Sequence, residues 1–403
     1  MTDNAGTITN IINAYPVDAE WQRGVYEWMH QHPELSMRET ETHQRLVSEL
    51  ARFDCQIITP VGRTGICAVF TNGDGPVVLH RADFDGLPVV EDTDADFAST
   101  NGAMHACGHD IHTTALLSMC DVLDRSRRHW SGTFIALFQP GEETGEGAAA
   151  MVKDGLTVRI PRPDVCFAQH VMPGRAGDVM SKPGPQFAAC DSIRVTIPGI
   201  SAHGSMPHAS VDPTFTAAMI ITRLQAIVGR EVDPADFAVV TVASMHAGTT
   251  NNIIPGSAEL VLNCRFYSDA VKAKVYASIE RVVRAEVAAS GVDAEPTIEF
   301  FAHGELLTND EATYQGIRTL FDAHFSSQSV TSDPKTVSED FPAIPAAFGV
   351  PYFFWLIGCT PADAWERGEA PVNHMPNFLP DYAPTIRSAT EAGLVAALSV
   401  LAS

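Results

Sequence analysis

The apolar runs of this chain come in two arrangements, and the change between them is its first organising feature. Residues 17–52 read as helical, with a break at His32-Pro33 because proline resists a helix interior. A short apolar strand, Pro76–Leu79, leads into HRADFDGLP, whose tip carries Asp83 and Asp85. Ile111, Ala115, Leu116, Met119 and Val122 then recur at helical spacing and predict a helix from about Asp110 to Arg125. A strand at Thr133–Phe138, the loop QPGEETGEG, a helix from about Ala148 to Asp154 and a strand at Asp164–Ala168 follow, the last ending at Gln169-His170. Strands that alternate with helices predict an α/β fold, with a mostly parallel central sheet and helices on both faces. In such a sheet, functional groups belong at the carboxyl ends of the strands.

The pattern changes after SKPGPQ, residues 181–186, where two prolines and a glycine make a natural boundary. Beyond it the order is strand (Ser192–Ile197), helix (Asp212–Val228), strand (Phe237–Met245), strand (Ser257–Phe266), helix (Asp269–Ala289) and strand (Thr297–Phe301). That βαββαβ order is the ferredoxin-like unit. The first pattern resumes near His303-Gly304, with a strand at Pro351–Ile357 and a final helix from about Ala383 to Leu401. The expectation is a main domain of residues 1–187 and 304–403, interrupted by a smaller α+β domain of residues 188–303.

Composition narrows the function. The chain has 26 basic and 49 acidic residues, a net charge of −23, and so repels phosphate backbones and anionic lipid. Its one basic run, Arg125, Arg127 and Arg128, is too short to offset this. The first residues show no secretory pattern, and no apolar run reaches the roughly 18 residues of a membrane span. Eight scattered cysteines without a CxxC pair do not read as a disulfide framework. A reducing cytoplasm is the expected compartment.

Candidate chemistry concentrates in four segments. In MHACGHDIHTT, Cys107 and His109 flank Gly108, where the chain must turn. Residues two apart in extended backbone point the same way, so both could grip one ion. The helix that follows should favour a thiolate at Cys107 through its amino-terminal partial charge. Taken alone, such a pair is more often packing at a helix start than a metal site. In QPGEETGEG, Glu142 and Glu143 stand at a strand end between glycines. One could bind metal while the other moves a proton, the division of labour that metal-assisted hydrolysis needs, although an acidic pair in a loop is commonly just solvated. His170 closes an apolar strand and His374 lies in a Pro-flanked loop; either alone would ordinarily be structural. What changes the weighting is convergence, because Cys107, His109, Glu143, His170 and His374 would all fall at strand ends or loops of one sheet.

With these segments in place, the chain resembles the amidohydrolase branch of the two-metal aminoacylase and carboxypeptidase superfamily, which includes hippurate hydrolases, auxin-conjugate hydrolases and N-acyl-amino-acid aminoacylases. The resemblance spans nearly the whole chain: HQHPELSMRE from His30, RADFDGLP from Arg81, MHACGHD from Met104, QPGEE from Gln139, QHV from Gln169, AHGSMPH from Ala202, DP from Asp212, NNIIP from Asn251, SEDF from Ser338 and NH from Asn373. Within the branch it most resembles actinobacterial acyl-glutamine aminoacylases, in HRADFDGLP, WSGTFIA and PDVCFAQHV.

The resemblance implies that Cys107 bridges two metal ions, that Glu143 and His374 complete one site, and that His109 and His170 complete the other. It implies Glu142 as general base and acid, and His203 as the group that stabilises the oxyanion, from its own or a neighbouring subunit. Asn252 and Arg265 would take the substrate's free carboxylate; an Arg fork pairs well with one, although a structural ion pair is an equal reading of Arg265. Where the wider superfamily has a His-x-Asp ligand motif, this chain reads Arg81-Ala82-Asp83, and Arg81 cannot ligate. His80 should face the opposite side of its strand. Thiolate, imidazole and carboxylate together suit Zn, Mn, Co or Ni. The expected activity is metal-dependent hydrolysis of the amide of N-acyl amino acids, by a homodimer formed through the inserted domain. The rivals are a metallo-dipeptidase or carboxypeptidase, and a silent binding protein of the same fold.

Overall fold

A computed structural model describes residues 2–402 and divides them into two compact units. The first runs to Gln186 and includes Thr308–Asp333 and the chain from Asp340 onward. It is built on an eight-stranded sheet. Its strands are β1 (Gln56–Val61), β2 (Gly65–Asn72), β3 (Val77–Asp83), β4 (Gly132–Gln139), β5 (Val165–Arg175), β6 (Val179–Ser181), β7 (Ser329–Thr331) and β8 (Tyr352–Thr360). They lie in the order β1-β2-β4-β3-β5-β8-β6-β7. The middle of the sheet, β4-β3-β5-β8, is parallel. Antiparallel pairs occur at β1/β2, β2/β4 and β8/β6.

Two strands run further than their apolar patterns suggest. β3 continues through His80, Arg81 and Ala82 to Asp83, and β5 continues past His170 to Arg175, so His170 lies inside its strand rather than at its end. Both extensions carry buried polar side chains, which interrupt an apolar signal without interrupting the ladder. Alternation along β3 separates two environments. His80 packs edge-on to Trp355 and beneath Gly393 of the helix Tyr382–Leu401, which packs with the helix His109–Arg125. Arg81 points the other way, toward Asp340, whose carboxylate accepts from the backbone of Ala148 in the helix Gly147–Lys153. Helices therefore cover both faces.

The second unit comprises Phe187–Leu307 and Pro334–Glu339. Its four-stranded antiparallel sheet has the order Ala238–Ala247, Ser257–Phe266, Ala189–Pro198, Thr297–Gly304. The helices Pro213–Arg230 and Asp269–Ala289 pack against each other and this sheet, giving the βαββαβ arrangement. Asp212 caps the first helix at Thr214, with Pro213 at the position where a missing N–H costs nothing. Along Ser257–Phe266, Ala258, Leu260, Leu262, Cys264 and Phe266 are buried with the helices, so Glu259, Asn263 and Arg265 lie on the opposite, open face. No helix among the described residues is long and apolar enough to cross a membrane.

Candidate metal centre

The centre of the first unit is assembled around Gly108. This residue precedes the helix His109–Arg125 with φ +79°, a left-handed conformation that glycine adopts without strain. A Cβ there would lie 2.3 Å from Val171 Cγ2, so only glycine lets the turn carrying Cys107 and His109 press against β5 beside His170. The β4–helix loop then brings in Glu142 and Glu143, and the loop after β8 brings in His374.

The donor atoms meet at closely matched spacings. Cys107 Sγ lies 3.4 Å from His170 Nε2 and 3.3 Å from His374 Nε2. His374 Nε2 is 3.3 Å from Glu143 Oε2, and His109 Nε2 is 3.7 Å from Glu143 Oε1. Glu142 Oε2 stands 3.8 Å from His109 Nε2. Ligand atoms placed tetrahedrally around an ion at about 2.0–2.3 Å are themselves about 3.3–3.8 Å apart. Cys107, His109 and Glu143 are buried below, while the side chain of His374 is half exposed and marks the open side.

Neighbouring groups aim these donors. His170 Nδ1–H donates to Val171 O at 2.7 Å, which leaves Nε2 with its lone pair toward Cys107. Burial, with His112 adding to it, holds His170 well below its ordinary pKa, in the neutral form that ligates. His109 Nδ1 lies 3.3 Å from Asp85 Oδ1, and Asp85 is fixed by Ser36 Oγ–H and the backbone N–H of Glu143. A carboxylate behind an imidazole is the usual support for a metal-binding histidine. Burial opposes a charge on His109, but Asp83, Asp85 and Glu143 outweigh it and hold its pKa up at about 10.

Two observations test the fit to a cation. His109 Nε2 and Glu143 Oε1 are buried without a hydrogen-bond partner, an arrangement that costs free energy unless something else satisfies them. Burial, reinforced by Glu143, Glu142 and Asp83, pushes the Cys107 thiol well above its ordinary pKa. Without a cation, burial first and then these carboxylates outweigh the helix amino terminus. A divalent cation reverses the balance, since it deprotonates a coordinating thiol and neutralises the carboxylates together. The residues present fit such ions.

The polar residues of β3 serve as scaffold. Arg81 donates to Asp83 Oδ2, Gln139 Oε1 and Asp340 Oδ1. His112 Nδ1–H donates to Asp83 Oδ1 at 2.6 Å, and its Nε2 accepts from the Val171 N–H at 2.8 Å. Both carboxylate oxygens of Asp83 are thus engaged by protein groups. Asp83 and Asp85 stand at the tip of the strand that the sequence predicts, and the motif spacing alone does not show that they and His112 brace the candidate donors.

His203, Asn252 and Arg265 stand in the second unit. His203 lies in the two-residue strand Ala202–His203, paired with Ile253, next to Asn252, whose carbonyl accepts from Gly204 N–H. Its Nδ1 accepts from Ser205 N–H at 3.2 Å and lies 2.8 Å from Ser205 Oγ, and the side chain is exposed. Arg265 donates to Asn263 Oδ1 and Ser338 Oγ, each at 3.1 Å. No carboxylate lies within ion-pair distance of it among the described residues.

The model of peptidase family M20/M25/M40 matches residues 79–387. The chain is 32% identical over 343 residues, covering 84% of this chain and 88% of the relative, to N-acetylcysteine deacetylase of Bacillus subtilis. It is 32% identical to the IAA-amino acid hydrolase ILR1-like 4 of Arabidopsis thaliana, covering 82% of this chain and 76% of that one. Among solved structures it resembles the Bacillus subtilis YXEP protein, described as a dinuclear metal binding peptidase from the M20 family. The TM-score is 0.78 at 27% identity, covering 98% of this chain and 99% of that one. By sequence, fold and donor set, this chain belongs to the peptidase family M20/M25/M40 and is a metal-dependent amidohydrolase of it.

Proposed function

We propose that the protein hydrolyses the amide bond of N-acyl amino acids, releasing a carboxylate and a free amino acid. The observation that carries this reading is the meeting of Cys107, His109, Glu143, His170 and His374, from separate segments, beside the carboxylate of Glu142. The relatives named above, a deacetylase of N-acetylcysteine and a hydrolase of IAA-amino acids, support the substrate class.

Cys107 would serve two ions in common, because its sulfur lies between the rings of His170 and His374. Glu143 and His374 would complete one site, and His109 and His170 the other. When bound, divalent cations supply an acidified water and a polarised carbonyl. Zn, Mn, Co and Ni all suit the donor set. Glu142 takes a proton from the attacking water and delivers it to the leaving amine. His203 Nε2–H donates to the oxygen on which negative charge develops. Arg265, with Asn252, receives the free carboxylate of the substrate, and its lack of an acid partner supports that role.

The second unit supports a homodimer. Ala238–Ala247 is an edge strand, and Phe215 and Met219, one turn apart on the helix Pro213–Arg230, are exposed. All eight cysteines are free, which supports a reducing, cytoplasmic setting.

The test is a panel of N-acyl amino acids and the matching free-amine dipeptides, assayed on protein stripped by a chelator and reloaded with each metal. The expected result is hydrolysis of the acylated compounds that is lost on stripping and restored by metal. Equal or faster cleavage of the dipeptides would contradict the substrate assignment.

A further inference from the structure

Asn373 is not among the proposed ligands, yet its side chain touches two of the segments that carry them. Its Nδ2 lies 3.1 Å from Val171 O, 3.4 Å from Cys107 O and 3.7 Å from Cys107 Sγ. The first carbonyl belongs to the residue after His170, and the other two atoms belong to the candidate bridging ligand itself. All three are acceptors, so the amide can present only its NH2 group to them, and its orientation follows. Its Oδ1 is buried and faces no donor.

The next residue, His374, has φ +71°, a left-handed conformation that is rare for a side chain with a Cβ. Such strain persists only where the surroundings over-determine it, and it concentrates at functional sites. Here the surroundings are visible. His374 N–H donates to Ala106 O at 2.8 Å, while Asn373 Nδ2 spans from Cys107 to Val171. The strained turn places His374 Nε2 3.3 Å from Cys107 Sγ.

We infer that Asn373 is a positioning residue for the metal centre: its amide clasps the Cys107, His170 and His374 segments together and donates an N–H to the Cys107 sulfur. The first action fixes the separations among three ligands contributed by distant parts of the chain. The second withdraws electron density from the sulfur that would serve both ions, and so tunes how strongly it binds them. Outer groups of this kind typically alter metal affinity by about 10–100-fold when removed. The inference rests on the reading of Cys107, His170 and His374 as metal ligands.

The test uses the full chain loaded with cobalt(II), whose thiolate charge-transfer absorption reports on Cys107. Wild type, Asn373→Ala and Asn373→Asp are compared by three measurements: cobalt affinity in competition with a chelator, the position of the charge-transfer band, and the melting temperature of the metal-free protein. Asn373→Asp keeps the side-chain size but turns an oxygen toward two carbonyls and the sulfur. The expected result is a loss of affinity of about 10–100-fold in Asn373→Ala and more in Asn373→Asp. The band should move to lower energy in Asn373→Ala, because an unbonded thiolate is the better electron donor, and the metal-free melting temperatures should stay close to wild type. Wild-type affinity and band position in both variants would overturn the clasp while leaving the metal centre standing. A loss of affinity that merely follows lowered metal-free stability would overturn it in favour of a general structural role. A wild-type protein that binds cobalt without a thiolate band would overturn the metal assignment of Cys107, and this inference with it.

Discussion

Replacing Gly108 by alanine tests how tightly the fold sets the metal centre. The substitution adds one methyl group in the left-handed region, which costs a side chain about 1–2 kcal/mol. The new Cβ would also lie 2.3 Å from Val171 Cγ2, well inside the roughly 3.5–4.0 Å of ordinary carbon contact, so something must move by more than about 1 Å. Overpacking of that kind costs about 1–3 kcal/mol. The sum, about 2–5 kcal/mol, corresponds to a fall in melting temperature of roughly 4–10 °C for a unit of this size. The disturbance falls on the site itself. Val171 O receives His170 Nδ1–H and Asn373 Nδ2–H, and Val171 N–H donates to His112. Metal affinity should therefore fall along with stability. The decisive comparison is the double variant Gly108→Ala/Val171→Ala, which removes the clashing methyl but keeps the backbone strain. Calorimetry and metal titration on the four proteins should give a favourable coupling of about 1–3 kcal/mol. A Gly108→Ala protein with wild-type melting and metal binding, or the absence of coupling, would refute the close approach of the Cys107 turn to β5.

Other outcomes follow from the same geometry. Glu142→Gln should keep its metal and lose about 10²–10⁴ in turnover, the scale of general acid–base catalysis; wild-type turnover would remove Glu142 from that role. His203→Ala should lower turnover by about 10²–10³ with metal content and melting temperature unchanged, whereas a loss of activity in proportion to unfolding would mark a structural residue. Acid should destabilise the protein partly through His80, whose complete burial pushes its pKa down to about 3. The unfolded chain protonates there below about pH 6.5 while the folded chain does not, so stability present above pH 6.5 declines as pH falls toward 3. His80→Leu should flatten that decline, relieving about 2–3 kcal/mol at pH 4.5 relative to its effect at pH 7.5. An unchanged acid slope in that variant would show that His80 does not titrate on unfolding.

Much of the fold could be read from the chain where one face is apolar. The strand Ser257–Phe266 and the helix Asp269–Ala289 have the bounds that alternation and helical spacing predict, because each buries one clean face against the other. The candidate donors were visible because Cys, His and Glu have no structural reason to recur beside one sheet. Where polar groups enter the interior, the pattern fails. The apolar pattern ends at Leu79, whereas β3 continues through His80 and Arg81 to Asp83. In the fold Arg81 and Asp83 are buried against each other, and His80 lies in the core. The first hairpin, β1 and β2, and the helix Glu311–Phe325 carried no motif and were not anticipated. A helix terminus beside Cys107 is visible in sequence, whereas its burial and the carboxylates arriving from β3 and from the loop after β4 are not. The sequence marks Asn373 as the first residue of the NH pair before His374, but not as a side chain that reaches Cys107 and Val171.

The proposed role of Cys107 is to join two ions in a centre that hydrolyses N-acyl amino acids. Its most direct test is metal analysis of the purified wild type and Cys107→Ala proteins, with the hydrolysis rate of an N-acyl amino acid measured on the same preparations. Wild type should carry two divalent ions per chain and turn over only with metal, and the variant should lose both metal and turnover. A Cys107→Ala protein that keeps its full metal content and full rate would contradict it.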